Sequence, residues 1–169
     1  MKRVGFAIWF LMFLFVVESQ AQCNIKNRIL ADGSMMYYFD SAVFYYTKSK
    51  SLKINIVTDK ENYFVALKPS PFPDKKEGKK IKDDLFIQLS DNKVYKLSHY
   101  DTQYMSNDSV MQVLYLMDDK DIEAFSKHEA ISAKINMKGT EFVRTYNFKL
   151  HKKAIMEQLE CFLREEKSK

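Results

Sequence analysis

The triplet His99-Tyr100-Asp101 carries the side chains that come closest to a catalytic pattern. On a regular strand, residues two positions apart point to the same face, so His99 and Asp101 are expected to lie side by side. A carboxylate next to an imidazole can orient the ring as a general base. A base also needs a nucleophile, and the sequence has no Gly-x-Ser-x-Gly elbow and no cysteine in a catalytic setting. We therefore interpret the triplet as a strand end that enters a polar turn.

A lysine-rich loop is the second candidate for chemistry. All three prolines of the chain lie between Lys68 and Asp84, which predicts irregular backbone in this segment. The segment also contains five closely spaced lysines that would attract an anion: Lys75, Lys76, Lys79, Lys80 and Lys82. Aspartates dilute the positive charge and no aromatic residue separates the lysines, so a solvated connection between strands is the favoured interpretation. An anion-binding loop for a glycan or another envelope component is the alternative.

Other chemistries lack the residues they need. His99, His128 and His151 are scattered, and none has a metal-ligand spacing to another histidine or to a cysteine. Four glycines in 169 residues leave no phosphate-binding glycine loop. A formal net charge of +5 does not call for a nucleic-acid partner. We expect no metal, no cofactor and no nucleic acid.

The elements that position these residues are predicted to be mainly strands. Alternating apolar residues indicate a half-buried strand at 52–56, and a turn connects it to a second strand. The alternation is clearest around Ile135, which we expect to be buried. Met35–Tyr46 is either one long bent strand or two short ones. The remaining predicted strands are 63–67, 85–89, 94–97 with an extension to Tyr100, 110–117, 131–137, and 142–150 with Phe142, Tyr146, Phe148 and Leu150 on one face.

Two helices are predicted among the strands. Asp118 or Asp119 can cap a short helix that turns Ile122 and Phe125 toward the core. A longer helix at 152–166 has an apolar stripe at helical spacing: Ile155, Met156, Leu159, Phe162 and Leu163. Roughly seven to nine short strands with these helices predict a mainly β (α+β) domain, either an antiparallel β-sandwich or a partly open barrel.

Cys23 and Cys161 are the two cysteines of the chain and lie near its opposite ends. In an oxidising compartment they are expected to form a disulfide, and two unrelated thiols are the alternative. Helical geometry places Cys161 about 160° from the centre of the apolar stripe. A disulfide would then require the N-terminal segment to cross the outer side of the helix.

Residues 1–21 are predicted to be a cleaved secretory signal peptide, followed by a single domain at 22–169. The segment has a basic start, an apolar run from Val4 to Val17, and small residues in Ser19-Gln20-Ala21 where signal peptidase cuts. An uncleaved anchor is less favoured, because a membrane-spanning helix needs about 20 apolar residues. Acylation of Cys23 is also less favoured, because Gln20 and Gln22 do not fit a lipobox. The mature chain is therefore expected to keep no integral membrane segment.

The signal region and the β-rich composition together resemble small exported proteins of Gram-negative bacteria. The resemblance implies secretion or a periplasmic location and names no particular family. Because the catalytic patterns above are incomplete, we predict an exported, non-catalytic protein that binds a partner or supports the envelope. A small secreted hydrolase with His99 in its site is the alternative function.

Processing of the signal peptide is directly measurable. We expect intact-mass analysis of the protein from its native host to give a chain that begins at Gln22, because Ser19-Gln20-Ala21 suits signal peptidase. A chain that begins at Met1, or a lipid attached to Cys23, would contradict this prediction.

Overall fold

The computed structural model describes residues 23–30, 33–73, 81–106, 108–136 and 143–167. The predicted signal peptide therefore lies outside the described residues. The strands are β1 (Lys26–Ile29), β2 (Met35–Tyr38), β3 (Ala42–Tyr46), β4 (Ser51–Thr58), β5 (Tyr63–Ser70), β6 (Leu85–Leu89), β7 (Val94–Met105), β8 (Val110–Met117), β9 (Ala130–Asn136) and β10 (Val143–Asn147). The helices are α1 (Asp119–Phe125) and α2 (Ala154–Lys167). The mainly β prediction is confirmed, and Met35–Tyr46 forms two short strands.

The ten strands form one open antiparallel sheet in the order β1-β2-β4-β5-β8-β7-β6-β9-β10, with β3 also paired to β4. The sheet curves until β3 meets the chain that follows β10. The rings of Phe44 and Phe148 lie 4.9 Å apart, and those of Tyr45 and Tyr146 lie 5.3 Å apart. The backbone N–H of Lys149 donates to the Phe44 carbonyl at 3.3 Å. The curved sheet thus has the form of a partly open barrel.

One long strand, β7, joins the two halves of the sheet. Its first residues pair with β6, and its residues from Ser98 to Met105 pair with β8. The expected strand end near Tyr100 is therefore wrong, because β7 continues through this point. A shift of register between His99 and Asp101, which is a β-bulge, lies where the strand passes from one neighbour to the other.

A single core fills the inner side of the sheet. Leu52, Ile54 and Ile56 alternate into it from β4, and the stripe of α2 packs on them through Ile155, Leu159 and Phe162. Helix α1 adds Phe125, which is fully buried. Asp118 caps α1 and exchanges hydrogen bonds with Asp121, as the acidic start of this helix predicts.

The outer side of β4 is also covered, contrary to the expectation of a half-buried strand. Val57 belongs to a second apolar cluster that includes Met36, Phe64 and Leu114. The polar residue Asn55, which precedes this cluster on the outer face, is 1% exposed. The alternation in 52–56 reports two chemically different environments and not one buried and one solvated face.

Three local expectations are corrected. Pro69 lies within β5, where it is tolerated because the ladder with β8 ends at Leu67. Leu150 is 47% exposed, because β10 ends at Asn147 and the chain turns before α2. Ile131 is only partly buried, because a register shift between β6 and β9 gives the inward position to Ala130. Met137 and Phe142 lie outside the described residues.

The disulfide between Cys23 and Cys161 is confirmed, with the two Cα atoms 5.7 Å apart and a sequence separation of 138 residues. A cross-link that closes so long a loop stabilises the fold by ~5 kcal/mol in the chain-entropy model. Cys161 is partly exposed beside the buried Phe162, as the helical spacing predicts. Within the described ranges, neither helix is long and apolar enough to cross a membrane.

Ile135 provides a test of the core. It is 3% exposed on β9, so Ile135→Ala should lower the free energy of unfolding by about 2–5 kcal/mol through loss of buried apolar contacts. Chemical denaturation measures the change. The neighbouring Lys134 is exposed, and Lys134→Ala should change the value by less than about 0.5 kcal/mol. Equal effects of the two substitutions would show that β9 is wrongly oriented.

Candidate functional site

His99 and Asp101 do not share a face of β7. His99 is opposite Tyr115, which points into the core, whereas Asp101 is opposite Leu114, which belongs to the outer cluster. The bulge at Tyr100 inserts one residue between them and reverses the direction of the second side chain. The Asp101 carboxylate accepts hydrogen bonds from Thr102 N at 2.7 Å and Gln103 Nε2 at 2.8 Å. The pair of His99 and Asp101 that their two-residue spacing predicts is therefore not formed.

The His99 ring forms a hydrogen bond with the Thr102 hydroxyl but does not accept its proton. Thr102 Oγ1 donates its hydrogen to the Ile81 carbonyl at 2.6 Å, so at 2.8 Å His99 Nε2 must act as the donor to Thr102. Burial is the main cause that lowers the pKa of His99, against the nearby Asp101 and Asp84 carboxylates. Thr102 is itself buried. This arrangement positions the bulge and supplies no base–nucleophile pair.

The lysine loop contributes little to the described structure. Lys75, Lys76, Lys79 and Lys80 lie outside the described residues, and Lys82 is exposed at its end. In the part of the chain that the structure describes, no group of three or more histidine, cysteine, aspartate or glutamate side chains is placed to hold a metal ion.

Positive charge gathers instead on the outer face of β4 and β5. Lys53 and Lys68 are directly opposite each other in the β4–β5 ladder. Like charges in this position repel, which makes the pair unfavourable unless an opposite charge lies nearby. The Asp40 carboxylate is near, but Lys26 Nζ already binds its two oxygens at 2.8 and 2.6 Å. The local excess of charge is therefore positive.

Lys68 is the more buried residue of this pair: it is partly buried, whereas Lys53 is exposed. Its Nζ donates to Ser41 Oγ at 2.8 Å, and Ser41 Oγ in turn donates to Asn55 Oδ1 at 2.7 Å. Burial lowers the pKa of Lys68, with further lowering by Arg28 and Lys53 and an opposing effect of Asp40. The ammonium is thus held in place by neutral oxygens, in surroundings that favour an anion beside it.

Two further hydrogen-bond donors lie next to Lys68 without a partner. The β5–β8 ladder ends at Leu67 and Val113, so Lys68 and Gln112 are the next residues of the two strands. Gln112 is 3% exposed, and its Nε2 has no hydrogen-bond partner. Arg28 of β1 stacks over the Tyr38 ring, 5.8 Å from its centroid, and its buried Nε also has no partner. Unpaired buried donors are rare because each one loses its hydration.

These donors line one small cavity of about 90 Å³, called here the inner cavity and formed by Arg28, Tyr38, Asn55, Val57, Lys68, Met105 and Gln112. Lys68 and Met105 also line a wider cleft of about 560 Å³, called here the outer cleft, which contains Lys53, Phe72 and several serines. The inner cavity has room for several water molecules and therefore for a small ionic group. Donors on three strands make it suited to an oxyanion.

A second concavity, of about 470 Å³, lies beside the disulfide and is lined by Tyr37, Lys60, Phe162 and Glu166, among others. Two of its charged groups already have partners. Lys60 Nζ lies 4.7 Å from the centroid of the Tyr37 ring, and Glu166 accepts a hydrogen bond from the Tyr63 hydroxyl. The inner cavity is the stronger candidate because two of its residues have a buried donor without a partner, Arg28 Nε and Gln112 Nε2.

Sequence patterns did not reveal this site. Its residues come from six strands, β1, β2, β4, β5, β7 and β8, and β1 was not predicted at all. The one available signal was the conflict between polar side chains and strongly β-forming neighbours at Lys53, Asn55 and Gln112. No protein-family model, curated protein or solved structure matches this chain. The function must therefore be inferred from the geometry of the site.

The electrostatics of the inner cavity can be tested on Lys68 itself. Lys53→Gln removes a like charge and should raise the pKa of Lys68 toward its ordinary value of 10.5, whereas Asp40→Asn should lower it further. A titration of the ¹³Cε and ¹⁵Nζ chemical shifts of Lys68 measures both changes. If both substitutions changed the pKa of Lys68 in the same direction, the described arrangement of charges would be contradicted.

Proposed function

We propose that this protein is an exported, non-catalytic binding protein whose outer face takes an anionic group of its partner in the inner cavity. The observation that carries the proposal is one cavity of about 90 Å³ lined by three donor residues, Arg28, Lys68 and Gln112. Two of these residues have a buried nitrogen without a partner, Arg28 Nε and Gln112 Nε2. An oxyanion would accept from these groups and offset the repulsion between Lys53 and Lys68.

Stability alone does not account for these donors. A buried amide or guanidinium nitrogen that pairs with nothing destabilises the fold by about 1–3 kcal/mol. Replacement of Gln112 by an apolar residue of similar shape would remove that penalty. A binding role gives a reason for the polar residue, because the donor gains its partner when the ligand is bound.

The alternative, a small secreted hydrolase with His99 in its site, has less support. The bulge in β7 directs His99 and Asp101 to opposite faces, and the Thr102 hydroxyl donates to a carbonyl instead of to the imidazole. Catalysis by a histidine base requires the opposite arrangement of the hydroxyl proton.

The proposed location is outside the cytoplasm, secreted or in the periplasm. The Cys23–Cys161 disulfide supports it, because such bonds persist in oxidising compartments. The signal-peptide pattern of residues 1–21 agrees with this location. In that setting an anionic glycan or another envelope component is the candidate partner.

A titration with sodium acetate tests the binding of an oxyanion. The side-chain amide of Gln112 should shift in ¹H–¹⁵N spectra and saturate, whereas sodium chloride at equal ionic strength should leave it unchanged. Arg28→Gln should weaken the response. Gln112→Met should weaken acetate binding, measured on backbone amides of β8, and raise the free energy of unfolding by about 1 kcal/mol because a buried unpaired amide is removed.

The matched control is a variant in which Lys75, Lys76, Lys79, Lys80 and Lys82 are all replaced by glutamine. It removes more positive charge than Arg28→Gln, yet its response to acetate should change little, because Arg28, Lys68 and Gln112 are all retained. Its stability should also change little if the lysines only keep a connection between strands solvated, as the sequence predicts. Loss of acetate binding in this control and not in Arg28→Gln would place the anion site in the loop and overturn the proposal.

A further inference from the structure

The inner cavity and the outer cleft share two lining residues, Lys68 and Met105, so the two spaces are neighbours. A ligand whose charged group occupies the inner cavity must therefore extend the rest of its structure along the outer cleft. The volume of that cleft, about 560 Å³, is within the range of roughly 300–1,000 Å³ found for small-molecule sites. The side chains that line the outer cleft therefore indicate which chemical groups the rest of the ligand carries.

Serine is the most frequent residue type in this lining, beside the charged residues Asp40, Lys53 and Lys68. The cleft contains Ser41, Ser51, Ser70, Ser106 and Ser109, which come from several strands and turns. A serine hydroxyl can donate one hydrogen bond and accept two, so it pairs with groups that also do both. Ligand hydroxyls have this property, whereas an aliphatic chain does not.

One aromatic ring completes the cleft. Phe72 is partly buried and is held edge-on against Tyr104, with the ring centroids 6.1 Å apart. A fixed ring supplies an apolar surface beside the hydroxyls. A sugar ring is the common ligand unit that has both a rim of hydroxyls and an apolar C–H face.

From this combination we infer that the ligand is an acidic saccharide, with a carboxylate of one sugar in the inner cavity and the sugar rings along the outer cleft. A carboxylate is smaller than a sulfate or phosphate group, so it is the oxyanion that this small cavity accommodates most readily. This inference rests on the proposed function, since both use the donors of the inner cavity.

Calorimetric titration with a tetrasaccharide of galacturonic acid tests the inference. Its carboxylates can be methyl-esterified, which gives a neutral ligand of the same shape. We expect the acidic tetrasaccharide to bind at least about tenfold more tightly than acetate, because it uses both the cavity and the cleft. The methyl ester should bind far more weakly than the acid.

Two variants separate the two parts of the site. Gln112→Met should weaken the binding of both acetate and the acidic tetrasaccharide. Phe72→Leu keeps an apolar side chain at its position. This substitution should weaken the binding of the tetrasaccharide by several fold and leave the binding of acetate unchanged. Thermal unfolding of both variants confirms that they remain folded at the temperature of the titration.

The outcomes distinguish the two proposals. If acetate binds and the acidic tetrasaccharide binds no better, the saccharide inference is overturned and the proposed oxyanion site stands. If neither ligand binds, both are overturned. Equal binding of the acid and its methyl ester overturns the role of the carboxylate, and tighter binding of a sulfated tetrasaccharide overturns the choice of carboxylate over sulfate.

Discussion

The rest of the structure depends on β4, because this strand has neighbours on both edges and on both faces. On one edge, β2 and β3 meet it end to end, and the backbone N–H of Ile56 points to the space between them. Gln158 of α2 reaches this point, and its Oε1 accepts the hydrogen bond at 2.7 Å. An unpaired buried N–H would destabilise the fold by about 1–3 kcal/mol, so this bond fixes the position of the helix. The disulfide at Cys161 then ties the start of the described chain to the same helix.

The bulge in β7 has a structural and a chemical consequence. Structurally, it increases the local twist where the strand changes its neighbour from β6 to β8, which lets one sheet curve around one core. Chemically, it places His99 on the inner side and Asp101 on the outer side, because one inserted residue reverses the alternation of side chains. His99 bonds to Thr102 and closes the bulge from within. The residue pair with the most suggestive spacing thus supports the shape of the sheet.

The candidate site lies on the opposite side of the sheet from the main core. The outer apolar cluster of Val57, Phe64 and Leu114 covers one part of β4, β5 and β8. Beyond it the covering becomes polar, with Asn55, Lys68 and Gln112 in the same layer. Polar groups in such a layer weaken the fold unless they are paired. Their placement beside an apolar cluster lowers the local dielectric constant, which strengthens any interaction that they make with an anion.

Several features were determined by the sequence alone, because they depend on local periodicity. These include the clear strands, the capping of α1 by Asp118, the buried face of α2 and the burial of Ile135. The disulfide followed from the number and position of two cysteines. Only the tertiary structure decided the rest. Bulges at Tyr100 and Ile131 break an alternation that looks regular in sequence, and β1 forms because β2 offers it an edge. The residues of the proposed anion site lie on strands that are distant along the chain. Their proximity depends on register and strand order, which local patterns do not encode.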